Sequence, residues 1–90
     1  MARITVQLDD SVAQVIHGRA GSPERHRELM DVVRRLGAAL EPMHPGTDDP
    51  ALRTFFTIDV SDGETDRAIE TLRTHRAVLA AYVKPMDAPP

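Results

Sequence analysis

The chain has 90 residues, 41% hydrophobic and 28% charged, a balance typical of a single globular domain and unlike a disordered chain. Surface scaling for this length lets roughly 64% of the unfolded surface be buried, enough for one modest core and too little for a second domain or a large enzyme cleft. A net charge of −3 without a basic block argues against nucleic acid, and the lack of cysteine excludes disulfides, thiolate metal sites and cysteine nucleophiles.

The opening segment alternates at once. Ile4, Val6 and Leu8 point one way and Arg3, Thr5 and Gln7 the other, which predicts a half-buried strand ended by Asp9-Asp10-Ser11. Residues 12–21 read as a loop with a short helical piece, because Gly18 and Gly21 interrupt Val12, Val15 and Ile16. Ser22-Pro23 is a sharp helix start: the hydroxyl can accept from an orphan backbone N–H, and proline at the first helical position gives up no hydrogen bond. Leu29, Val32, Val33 and Leu36 then recur at helical spacing, and Gly37 suits a C-terminal stop.

Residues 38–44 read as a short strand that contains Pro42, which confines it to a sheet edge. A turn cluster over 45–50 separates it from the strongest strand, Leu52 to Val60. There Leu52, Thr54, Phe56, Ile58 and Val60 share one face, and Arg53, Phe55, Thr57 and Asp59 the other. Ser61-Asp62-Gly63-Glu64 has the spacing of a capping box before a second amphipathic helix carrying Ala68, Ile69 and Leu72. Val78 to Lys84 reads as the last strand, stopped by Pro85.

This order predicts an α+β, ferredoxin-like β-α-β-β-α-β fold: a four-stranded antiparallel sheet of order 4-1-3-2 with two helices on one face. The expected organisation is one domain over residues 1–85 and an extended, proline-rich tail over 86–90. No stretch is long and apolar enough for a signal peptide or a membrane span, so a cytoplasmic setting is expected, with no membrane partner.

Nothing in the chain points to catalysis. Ser11, Ser22 and Ser61 are all explained by turns or caps, and none follows a nucleophile-elbow pattern. His17, His26, His44 and His75 are scattered without a helical pair, and the turn chemistry around Asp48-Asp49 accounts for those carboxylates without a metal. No glycine loop suited to cradling phosphate is present, and no cofactor is expected. The helix-free sheet face is more informative. If the larger aliphatic residues of the last strand, Leu79, Ala81 and Val83, face the core, then Val78, Ala80, Tyr82 and Lys84 face outward beside Phe55 and Thr57. Such a flat, moderately apolar patch marks a partner site.

Several segments resemble one family. They are Ile4-Thr5-Val6-Gln7-Leu8-Asp9-Asp10, the run from Leu36-Gly37 through His44-Pro45-Gly46-Thr47-Asp48-Asp49-Pro50 to Phe56, and the ending Ala80-Ala81-Tyr82-Val83-Lys84-Pro85. Together they are similar to the propeptides of subtilisin-type serine proteases and their stand-alone, propeptide-like inhibitor relatives. The resemblance implies a non-enzymatic protein that binds a subtilisin-type protease as inhibitor or folding chaperone. Phe55, Thr57, Val78, Tyr82 and Lys84 match the docking face, and Met86, Asp87, Ala88, Pro89 and Pro90 match a tail that lies in the substrate cleft. An extended tail of this kind adds to the protease as a strand. A propeptide normally continues into its protease and this sequence stops at Pro90, so the expectation is a protease partner in trans or else a domain cut from a longer chain. The free protein is expected to be a monomer or weak homodimer. The alternative is an ACT-like regulatory module that binds a small molecule and dimerises edge to edge.

Overall fold

The computed structural model describes residues 2–18, 20–47 and 49–83. Four strands form one antiparallel sheet: β1 (Ala2–Leu8), β2 (Leu40–Pro42), β3 (Phe55–Val60) and β4 (Val78–Val83). Their spatial order is β2-β3-β1-β4, which is 4-1-3-2 counted from the opposite edge. Three helices complete the fold: α1 (Asp10–Ile16), α2 (Pro23–Arg35) and α3 (Thr65–Arg73). The class is therefore α+β with an open four-stranded sheet.

The central pair follows from alternation. In the β1–β3 register Ile4 lies opposite Ile58 and Val6 opposite Phe56, and all four side chains are buried. Leu29 and Val33 from α2, Ala68 and Leu72 from α3, and Val12 and Ala13 from α1 close over them in one cluster. The helices thus cover one sheet face only.

Helix α2 begins and ends as its sequence predicts. Ser22 accepts at Oγ from the Arg25 N–H at 3.5 Å, with Pro23 at the first helical position. At the other end Gly37 takes φ +70°, a left-handed conformation that costs little without a Cβ. Its N–H bonds the Arg34 carbonyl, and the Ala38 N–H bonds the Val33 carbonyl, so two orphan carbonyls are satisfied.

Three local expectations are corrected. The segment read as a loop with a short helical piece contains a full two-turn helix, α1. Val12 and Ala13 anchor it, and the Gln14 side chain donates to Asp10 one turn back at 2.7 Å. The first crossover therefore holds two helices where one was expected. The capping box at Ser61–Glu64 does not form: Asp62–Glu64 make a 3-10 turn closed by the Glu64 N–H on the Ser61 carbonyl, and neither terminus has a side-chain cap. Thr65 bonds back to the Asp62 carbonyl instead, at 3.0 Å. The strand expected from Leu52 starts only at Phe55, because Asp49–Thr54 form a turn in which the Asp49 carbonyl accepts from the Leu52 and Arg53 N–H groups.

The most consequential correction concerns β4. Tyr82 lies opposite Thr5 and Ala80 opposite Gln7, but Val78 lies opposite Leu8, so Leu79 is an extra residue in a β-bulge. One inserted residue reverses the alternation on either side of it. Val78, expected on the open face, is therefore buried in the core, whereas Leu79, expected in the core, is exposed.

Candidate functional site

The helix-free face is built as rows of side chains across the sheet. One row crosses all four strands as Glu41, Thr57, Thr5 and Tyr82. In the next, Phe55 and Ala80 flank Gln7, and the Met43 N–H extends the β2–β3 ladder by donating to the Phe55 carbonyl at 3.0 Å. A third pairs Arg3 with Asp59, bonded at 3.1 Å.

The two ends of this face differ in chemistry. Thr5, Met43, His44, Leu52, Phe55 and Tyr82 line a shallow concavity of about 390 Å³. Tyr82 is 42% exposed, whereas Thr5 beside it is only 4% exposed, although no helix covers that side. Neighbouring larger side chains thus wall the concavity while the small threonine lies low between them. At the other end the Asp59 carboxylate raises the Arg3 pKa, first by accepting its hydrogen bond and then through its charge, with Glu41 adding to it. The Arg3–Asp59 pair is solvent-exposed, so it sets the polarity of this end and adds little stability.

The turn that carries Leu52 and leads into Phe55 is held from beneath. Arg53, with its side chain 14% exposed, donates to both carboxylate oxygens of Asp10 at 2.7 and 2.9 Å. The His17 Nε2 lies 3.1 Å from the Arg53 carbonyl, and Arg25 reaches Asp9 at 3.2 Å. A two-point guanidinium–carboxylate pair fixes orientation as well as distance. Arg53→Ala is expected to lower stability by about 1–2 kcal/mol after allowance for the half-exposed Asp10, and to broaden the Leu52 and Phe55 amide resonances. Unchanged denaturation midpoints and spectra would show that the turn holds without it.

Of the sequence-predicted docking residues, the structure brings Phe55, Thr57 and Tyr82 onto one face. Val78 is corrected to the core by the bulge at Leu79, and Lys84 and the tail residues Met86, Asp87, Ala88, Pro89 and Pro90 lie outside the described residues. Met43, His44 and Leu52 were not anticipated at the site. Alternation continued past the edge proline from Glu41 would have placed Met43 beside Phe55, but nothing local marked the turn that delivers Leu52. Among the described residues no three His, Asp or Glu side chains group as a metal site, and no helix is long and apolar enough to cross a membrane. The chain matches no known family, no curated protein and no solved structure.

Proposed function

We propose that the chain is a ferredoxin-like, propeptide-like protein that binds a subtilisin-type serine protease, with α1 as an addition to the first crossover. It acts without chemistry of its own, as inhibitor, folding chaperone or both. The observation that carries this reading is the accessible apolar concavity between Phe55 and Tyr82 on a sheet face that no helix covers. An apolar patch with a polar rim suits a protein partner better than a buried small molecule. Arg3, Asp59 and Glu41 supply the rim at one end. The family resemblance of the segments around His44–Phe56 and Ala80–Pro85 supports the same face and names the partner class.

The test is titration of a subtilisin-type protease with the full chain, Phe55→Ala, Tyr82→Ala and a chain lacking Met86–Pro90. Interface aromatics are common hot spots, so each alanine variant is expected to weaken association by roughly 1–3 kcal/mol while the domain stays folded. Loss of the tail should cost inhibition steeply, since a proline-rich segment has less conformational entropy to lose on docking. Full potency in both alanine variants would remove the sheet face from the mechanism. A refolding assay with denatured protease separates chaperoning from inhibition.

A further inference from the structure

The two edges of the sheet are not alike. β2 is three residues long and carries Glu41 and Pro42, a charge and a missing donor that both discourage further pairing. β4 has six residues, Val78-Leu79-Ala80-Ala81-Tyr82-Val83, without a charge or a proline, and its outer side has no strand partner among the described residues. Of the exposed large hydrophobics, Leu79 at 61%, Tyr82 at 42% and Val83 at 43% all lie on it. An apolar edge with N–H and C=O groups turned outward is a template for another strand; the bulge at Leu79 blunts this edge at one end only, so the rest of it calls for an occupant.

We propose that this occupant is β4 of a second copy of the chain, paired antiparallel about a two-fold axis at Ala81. Opposed residues in an antiparallel pair share a sheet face, so a two-fold normal to the sheet pairs only residues of like alternation. Centring on Ala81 sets Ala80 against Tyr82 of the second copy, and the bulged Leu79 lies beyond this regular pairing. The large Tyr82 side chain then lies over a small alanine, and the small Ala81 side chains meet at the axis. No like charges are brought together, because β4 has none. The bulge sits at the Leu79 end and leaves Ala80 to Val83 in regular register. Two six-residue edges bury less than the roughly 1,200 Å² of a stable complex, so the dimer is a weak one. It forms one eight-stranded sheet with both helix-free faces on the same side, and it does not depend on the protease reading.

Sedimentation of the full chain without protease over a dilution series tests this. The expected result is a monomer–dimer equilibrium whose dissociation constant rises at least tenfold in Leu79→Lys and in Val83→Glu. Both positions are exposed, so circular dichroism and melting should match the parent. Outward-facing β4 amides of the unmodified chain should exchange slowly when concentrated and quickly when dilute, a readout that needs no variant. A monomer at every concentration would overturn the proposal, as would a dimer indifferent to both Leu79→Lys and Val83→Glu.

Discussion

Phe56→Ala is expected to lower stability by about 3–5 kcal/mol, most of what a domain of this size possesses. The ring is fully buried, lies opposite Val6 and Pro42 in the two ladders it joins, and stacks at a tilt on His17 with centroids 5.7 Å apart. Removing it leaves a cavity where β1, β2 and β3 converge. Phe55→Ala, one residue earlier and on the opposite face, should cost about 1 kcal/mol, because its ring is only half-buried. Urea denaturation of the two variants side by side measures the difference. Similar losses from both would mean that the face carrying Phe55 is packed, and the proposed docking surface would go with it.

Gly21→Ala is the second large effect, with an expected loss of about 3 kcal/mol, the upper end of overpacking penalties. A Cβ at this position would stand 2.0 Å from the Ser11 carbonyl oxygen and 2.9 Å from a Val15 methyl. That same carbonyl accepts the Ser22 N–H at 2.9 Å, so the clash and the hydrogen bond that docks α1 on the start of α2 compete for one place. The backbone oxygen cannot swing away as a side chain would. The expected signature is a lowered thermal midpoint with the largest chemical-shift changes at Ser11, Val15 and Ser22. A Gly21→Ala variant as stable as the parent would show that the two helices separate freely.

Most of the sheet was legible because its central strands alternate cleanly and bury one face each. Ile4, Val6, Leu8, Phe56, Ile58 and Val60 were all placed on the helix side by period alone, and the structure buries every one. The boundaries of α2 were legible for a different reason: Ser22, Pro23 and Gly37 each have a specific backbone conformation to serve. β4 offered neither signal. Five of its six residues are aliphatic, so side-chain size alone had to set its faces; that placed Ala80, Ala81 and Tyr82 correctly and failed at Val78 and Leu79, where the bulge lies. A bulge depends on the pairing with β1 and leaves no local mark. The capping-box spacing at Ser61 failed because Asp62-Gly63 also suit a tight turn, which takes up the backbone groups the box would have used. At the site, Phe55, Thr57 and Tyr82 could be found from strand period, whereas Leu52 and His44 arrive through turns, the first of them held by the Arg53–Asp10 pair.

The position of β1 in the middle of the sheet has a consequence for biosynthesis. The first strand to leave the ribosome has both of its partners far downstream: Ala2 meets Val60, and Ile4 meets Val83. While the chain is being made, β1 must wait unpaired until β3 has been translated, and its other edge stays open until β4 follows. Only α1 and α2, joined by neighbouring residues, can associate early. Closing such long loops late slows folding, and an unpaired apolar strand in the interim attracts other chains. A nascent chain stalled before residue 55 should therefore hold β1 open to proteolysis, and one stalled well beyond residue 83 should protect it.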